Sequence, residues 1–321
     1  MKSVLVGISG GVDSSVAAHL LKQQGFKVEG ILLKQLSEPV DCDDYVCCAE
    51  NAIERARSVC DQLGITLHTP DVRDLFTLKV INPSIKAWEA GAVPSPCTTC
   101  NADLRAPLLD YYRRVLQCDY FATGHYFIND NGKISRGKDP GKDQSYMVSL
   151  VNKALFKWWF TPLGGMVKHD VRKLAFNSGI STAFTPDSQN LCFNHLLPSF
   201  ERPVFKDTNV DLVQIGIHNG RPAVGQRKGF AGNTVVKISP DRIIVGNAAV
   251  EVSKLSVQWR NQPLYAEGLV AQVAYHGKKH TVSTVDADSI TLSSAAIVNA
   301  GQVVAVYKED ELVGGGVIGG W

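Results

Sequence analysis

The chain has no apolar run near the ~18 residues that a membrane-spanning helix requires. Cysteine is sparse, 8 among 321 residues, far below the ~8–10% of a disulfide scaffold. Neither sign of charge dominates: 33 Lys and Arg face 31 Asp and Glu, for a formal net charge of +2 at pH 7. That balance neither demands nor excludes a nucleic-acid partner, since a basic face can coexist with an acidic one. There is no internal repeat and no low-complexity tract, and 45% hydrophobic residues with 20% charged exclude a disordered or fibrous chain. The opening apolar stretch breaks at Gly10-Gly11 and meets Asp13, which does not fit a secretory leader. The expectation is a cytoplasmic protein with no membrane partner, whose thiols are buried, metal-binding or catalytic.

What is there begins with alternation. Ser3 to Ile8 reads as a buried strand, and Val16, Ala17, Leu20 and Leu21 give a helical stripe stopped by Gly25. Lys27 to Leu33 reads as a second strand, Ala49 to Leu63 as an amphipathic helix closed by Gly64, and Ile65 to Thr69 as a third strand. A helix over Ala102 to Leu116, a strand at Tyr120 to Thr123, a hairpin around Asn129-Asp130-Asn131-Gly132 and a helix near Val171 to Asn177 continue the pattern. Strands alternating with helices predict an α/β fold, a parallel doubly wound sheet. After about Pro198 the composition changes. Short runs such as Thr234 to Ile238, Ile243 to Val245, Val270 to Ala274, Thr281 to Val285 and Val303 to Tyr307 predict an all-β region ending in a small barrel. The boundaries expected are 1–198 for the α/β catalytic domain, 199–247 for a reduced central β-rich domain and 248–321 for the barrel.

The strongest chemical signal is Gly7-Ile8-Ser9-Gly10-Gly11-Val12-Asp13-Ser14-Ser15, set between the first strand and the first helix. Its glycines let the backbone approach an anion, the helix offers free N–H groups, and Ser9, Ser14 and Ser15 add hydroxyls. Asp13 is a candidate Mg²⁺ ligand. The loop lacks the Lys-Ser/Thr ending of a Walker A motif. It resembles the Ser-Gly-Gly-x-Asp-Ser signature of the PP-loop ATP pyrophosphatases (adenine nucleotide α-hydrolase-like), which cleave ATP between its α and β phosphates. A second signal is Pro94-Ser95-Pro96-Cys97-Thr98-Thr99-Cys100-Asn101, a C-x-x-C before a helix, where a helix N-terminus favours the thiolate. Half of a zinc site is the alternative, but it needs a second spaced pair, and Cys47-Cys48 is a poor one. Cys192 follows Thr185-Pro186-Asp187-Ser188-Gln189-Asn190-Leu191; alone it would more often be a core residue.

Seven motifs in order carry a more specific resemblance. They are the Gly7–Ser15 loop, Pro94 to Asn101, Ala122-Thr123-Gly124-His125-Tyr126, Lys142-Asp143-Gln144-Ser145-Tyr146, Asp187-Ser188-Gln189 before Cys192, Gly225-Gln226-Arg227-Lys228-Gly229 and Gly314-Gly315-Gly316. The series resembles the tRNA-specific 2-thiouridylases, the MnmA family, over nearly the whole chain. The resemblance implies replacement of the C2 oxygen of a wobble uridine in tRNA by sulfur, a sulfurtransferase activity driven by ATP and Mg²⁺. It implies ATP contacts at Gly7, Ile8, Ser9, Gly10, Gly11, Val12, Asp13, Ser14, Leu33 and Gly124. It implies Cys100 as nucleophile, Cys192 as persulfide carrier, and Ser95, Pro96, Cys97, Lys142, Asp143 and Gln144 against tRNA. A persulfide-donating protein is the implied second partner. Two sulfur chemistries stay open: a persulfide relay ending in a disulfide, the favoured one, and an iron–sulfur cluster held by Cys97, Cys100 and Cys192.

The chain departs from the family pattern at Ser95, where Asn is usual, at Asn190, and at Ala274-Tyr275-His276, where Arg-Tyr-Arg is usual. Its Cys192 to Gly225 segment is short. Cys42, Cys47 and Cys48 read as buried or incidental thiols, while Trp158-Trp159-Phe160 offers either base stacking or core packing. Arg113-Arg114 and Lys278-Lys279-His280 offer phosphate contacts or solvated charge. The competing functions are a PP-loop enzyme adenylating another RNA base or a small molecule, and a non-catalytic RNA-binding relative.

Overall fold

In the computed structural model, residues 1–36, 50–187, 191–208, 211–227, 229–230, 232–249 and 251–319 are described. Cys42, Cys47, Cys48, Ser188, Gln189, Asn190 and Lys228 lie outside them. The chain divides into two compact units, one of Met1–Val80, Cys97–Leu196 and Asp310–Leu312, the other of Ile81–Pro96, Leu197–Glu309 and Val313–Trp321.

The first unit is built on a five-stranded parallel sheet in the order Leu67–His68, Lys27–Ile31, Ser3–Gly7, Tyr120–Ala122, Trp159–Phe160. Its central strand reads Ser-Val-Leu-Val-Gly, and Val4, Leu5 and Val6 are fully buried, as a parallel strand covered on both faces must be. Helix Val12–Gln23 follows and packs Val16, Ala17 and Leu21 into the core with Ala56, Val59 and Cys60 of helix Glu50–Leu63. Gly25 stops the first helix through paired bonds, Gly25 N–H to Lys22 O at 3.0 Å and Phe26 N–H to Leu21 O at 3.1 Å; Gly64 stops the second in the same way. The strands expected at Lys27 to Leu33 and Ile65 to Thr69 are shorter than the apolar pattern suggests. Residues beyond Ile31 leave the ladder to form the loop over which the site is built, held by Lys34 N–H on Pro70 O at 2.9 Å.

The helix expected from Ala102 starts earlier. It runs as Pro96–Cys100, a π turn over Asn101–Arg105, then Ala106–Val115, so both thiols of the C-x-x-C lie inside the helical stretch rather than ahead of it. Trp159 is buried on the edge strand with its indole N–H on Thr123 Oγ1 at 2.8 Å, which assigns it to packing rather than to base stacking. Arg113 is neither solvated nor open to phosphate. It is 9% exposed, bonded to Asp110 at 2.9 Å, and its guanidinium lies 4.7 Å from the Trp158 ring centre.

The second unit contains a four-stranded sheet in the order Thr234–Ile238, Ile243–Gly246, Glu201–Asp207, Leu212–Asn219. Its other component is the expected antiparallel barrel, closed by six strands in the order Val252–Asn261, Ser289–Ala296, Lys279–Val285, Leu269–Gln272, Val303–Lys308, Glu311–Ile318, with the last pairing back onto the first. Closure sets Gly316 opposite Trp259, where a Cβ would stand 2.5 Å from Val257 Cγ1 and 2.8 Å from the Gln258 carbonyl oxygen. Gly316 is therefore a steric requirement of the seam, and Gly314, whose Cβ would stand 2.5 Å from Pro263 Cγ, is another.

Candidate functional site

The loop between the first strand and helix is shaped from within. Gly10 adopts φ +73°, and a Cβ there would stand 2.5 Å from the Ala52 carbonyl oxygen. Ser14 Oγ accepts the Ser9 N–H at 3.0 Å, and Ser15 Oγ–H donates to Gly11 O at 2.8 Å. Gly11 caps the helix in an extended conformation with no side-chain bond to the first turn. That leaves the first N–H groups of a helix facing outward, an anion cradle reinforced by the helix dipole. Gly124 closes the far side, where a Cβ would stand 2.7 Å from both Asp13 C and Ser14 N. The expected Gly7, Ile8, Ser9, Gly10, Gly11, Val12, Asp13, Ser14 and Gly124 thus meet in one place; Leu33 is buried on the loop after the second strand.

Asp13 carries the electrostatics. Lys168 Nζ bonds both of its oxygens, at 2.7 and 2.6 Å, and the Tyr126 hydroxyl donates to Oδ1 at 2.6 Å. Burial first, and then the Asp13 carboxylate, push the Tyr126 phenol far up, so it stays protonated as a donor. Lys168 also reaches Asp187 at 2.9 Å, and Asp187 takes Lys142 at 2.7 Å and Arg172 at 2.6 Å. Burial works to raise the Asp187 carboxyl, but hydrogen bonds from Lys142 and Lys168, with their charges, hold it down at about 2. Asp139 adds a third carboxylate, accepting the Lys168 backbone N–H at 2.9 Å, so three cations and three carboxylates balance beside the cradle.

Asp13 is already the partner of an ammonium on both oxygens and does not stand ready for Mg²⁺. Among the described residues no three His, Cys, Asp or Glu side chains converge as a metal-holding group.

Cys97 is exposed, Cys100 buried and Cys192 half-buried. Gln35 Nε2 lies 3.5 Å from Cys100 Sγ, and Arg105 donates to Gln35 Oε1 at 3.1 Å. Phe193, beside Cys192, is the residue sunk into the core, edge-on to Phe76 with ring centres 5.7 Å apart. Thr123 Oγ1 lies 2.7 Å from His125 Nδ1. Burial, then the Arg105 charge, lower His125 to about 3, so it is neutral. The same hydroxyl accepts the Trp159 indole N–H at 2.8 Å, which ties the His125 ring to the edge strand.

The residues expected against tRNA have internal partners. Asp143 is buried, accepting from Arg136 at 3.2 Å, Gly137 N–H at 2.9 Å and Ser145 Oγ at 3.0 Å. Gln144 Oε1 accepts the Tyr126 N–H at 3.0 Å, and Lys142 holds Asp187. Ser95 is half-buried, and Pro96 starts the helix that carries Cys97. Sequence reasoning missed Lys168, Arg172, Gln35 and Arg105, and read Tyr126 only as part of a motif. Only the first two left a signal, their i,i+4 spacing on one helix face.

A family model described as the tRNA methyl transferase HUP domain matches residues 2–195. A tRNA-specific 2-thiouridylase MnmA of Hydrogenobaculum sp. (strain Y04AAS1) is 35% identical, over 98% of this chain and 99% of its own length. The chain belongs to the MnmA family. The MnmA proteins of Persephonella marina and Microcystis aeruginosa are 34% and 32% identical, over 98% and 100% of this chain and 99% of each relative. The MnmA resemblance read from the seven motifs therefore extends across both units.

Proposed function

We propose that this protein uses ATP to replace the C2 oxygen of a tRNA wobble uridine by sulfur. The observation that carries the reading is the match to relatives named 2-thiouridylases along essentially the whole chain. The matched family model carries a methyl transferase's name, but an ATP-type loop together with the Cys97, Cys100 and Cys192 thiols suits sulfur transfer.

The cradle at Gly10 to Ser14 binds the ATP phosphates, with the Lys168 ammonium beside it on Asp13. The uridine C2 oxygen attacks the α-phosphorus, the bond to the β-phosphate breaks, and the base becomes an adenylate whose leaving group is AMP. Cys192 carries a persulfide received from a donor protein. Its outer sulfur attacks C2, AMP departs with the original oxygen, and the Cys100 thiolate breaks the S–S bond to Cys192. A Cys100–Cys192 disulfide results, and an external dithiol returns it to thiols. Lys142, Asp143 and Gln144 act toward tRNA by holding the loop after Gly137 in shape, while Ser95 to Cys97 face the base.

Incubation with ATP, a persulfide donor and tRNA, followed by nucleoside analysis, tests the reading. The expected result is 2-thiouridine with AMP and pyrophosphate, and neither thiolation nor recovery in Cys100→Ser or Cys192→Ser. AMP formation equal with and without tRNA, and no thiolated base, would defeat it.

A further inference from the structure

Cys100 sits past the first turn of the helical stretch that begins at Pro96, so the free N–H groups of a helix start are not what its sulfur meets. It meets Gln35. The amide is 2% exposed and the thiol 8%, with Nε2 3.5 Å from Sγ. A guanidinium has only donors, so the Arg105 bond to Gln35 Oε1 fixes which end of the amide is oxygen and turns the NH₂ toward sulfur. In a plain α-helix residues five apart diverge by ~140° around the axis. The π turn over Asn101–Arg105 winds more slowly and swings Arg105 back toward the side of Cys100. Gln35 is itself held in place, because Lys34 is pinned on both sides, its N–H on Pro70 O at 2.9 Å and its carbonyl taking Val72 N–H at 3.0 Å.

We propose that Gln35 is a catalytic residue of the thiol chemistry: its amide, oriented by Arg105 as a positioning residue, donates to Cys100 Sγ and favours the thiolate. An amide N–H gains little from a neutral thiol and much more from a full negative charge on sulfur, so the bond stabilises the charged form selectively. The positive field of Arg105, which also keeps His125 neutral, acts in the same direction. The assignment rests on the reading of Cys100 as the attacking thiol. It also puts a thiol contact on the segment that carries Leu33.

The test is alkylation of Cys100 by iodoacetamide in the full chain, without ATP or tRNA, read by peptide mass analysis between about pH 5 and 10. Carrying Cys97→Ser throughout leaves Cys100 the sole thiol between Ala87 and Arg105. Gln35→Leu should move the midpoint of labelling up by about one pH unit, roughly tenfold slower labelling at pH 7. Gln35→Glu keeps the size but sets an anion beside the sulfur, and should move it further. Arg105→Met should shift it the same way by less. Buried Cys60 and Cys118 report folding in the same run, and where the leucine variant labels them, the near-isosteric Gln35→Glu decides. An unmoved midpoint in that variant overturns the role of Gln35; an unmoved midpoint in Arg105→Met overturns the role of Arg105. A shift in a protein that cannot thiolate tRNA would count against the functional reading alone. No shift in one that can would count against Gln35 alone.

Discussion

The nucleotide-binding unit and the barrel bury different chemistry. The barrel interior is mostly aliphatic, with Leu255, Val257, Leu269, Ala271, Ile290, Leu292, Val304 and Val306 in one cluster. In the other unit Lys168, Asp143, Arg113 and Gln35 are each less than a tenth exposed. Desolvating ionic groups costs about as much as their attraction returns, so stability alone is a weak reason to keep them. Apolar burial needs no such justification. The difference teaches where the two regions were constrained: the barrel by shape, and the loop region by charges that must stand at set positions. Glycine repeats the lesson. Gly124 yields room to the backbone of the anion cradle, and Gly316 yields room to a neighbouring strand.

The largest effect should come from Lys168→Met, which takes the cation from Asp13 and leaves it with the Tyr126 hydroxyl, while Asp187 keeps Lys142 and Arg172. Breaking a buried pair costs ~3–5 kcal/mol. Because both carboxylates keep some water, the low end applies, about 3 kcal/mol by urea unfolding. A loss under about 1 kcal/mol would erase the contrast with the barrel. Next is Gly316→Ala. Its Cβ would press on Val257 and on the Gln258 backbone, and overpacking of this kind costs about 2 kcal/mol. ATP binding, measured by calorimetry, should be retained. If ATP binding were lost while stability held, the seam would not be the structural element its packing makes it.

The sequence made the α/β half legible because its glycine stops and buried β-branched strand are local features. Gly25 and Gly64 end helices where the pattern places them. The barrel was legible as β, but its closure was not, since pairing of Val252–Asn261 with Glu311–Ile318 joins segments fifty residues apart. The candidate site divided along the same line. Gly7 to Ser15 is contiguous, so its role could be read from order alone. Lys168 meets Asp13 from 155 residues away and Gln35 meets Cys100 from 65, and the partners of such contacts cannot be read from local spacing. The C-x-x-C was legible as a thiol pair but was displaced relative to the helix start. Pro96 supplies a preset φ and opens the helix several residues before the apolar pattern begins.

A matched pair of arginines sharpens the comparison at smaller scale. Arg113 bonds Asp110 at 2.9 Å, the Cys118 carbonyl at 3.2 Å and the Asp119 carbonyl at 3.3 Å, so Arg113→Ala leaves three acceptors short and removes the stack on Trp158. About 2 kcal/mol of stability should go. Arg114 reaches Asp110 from the surface, with its side chain 64% exposed, and Arg114→Ala should change stability by less than about 0.5 kcal/mol. Thermal unfolding of both variants checks this. Equal effects would mean that burial does not decide the value of these charges.

The smallest effect is one of pH. Asp187 is held at about 2 in the folded chain, below the ~3.9 of an unfolded aspartate. A depressed carboxyl stabilises the fold at pH values above its unfolded value, and that contribution drains away as pH falls from about 4 toward 2. Asp241 offers the contrast in the other unit. It too is lowered, by a hydrogen bond from Arg242, but its side chain is exposed. Asp187→Asn should therefore flatten the acid limb of the unfolding curve between about pH 4 and 2, and go on doing so in about 0.5 M salt, because partly buried pairs are screened less. Asp241→Asn should leave the limb unchanged. The Asp187 effect stays small because water still reaches the carboxyl. Coincident acid limbs for the two variants would mean that Lys142 and Lys168 act on Asp187 no more strongly than one surface arginine acts on its neighbour.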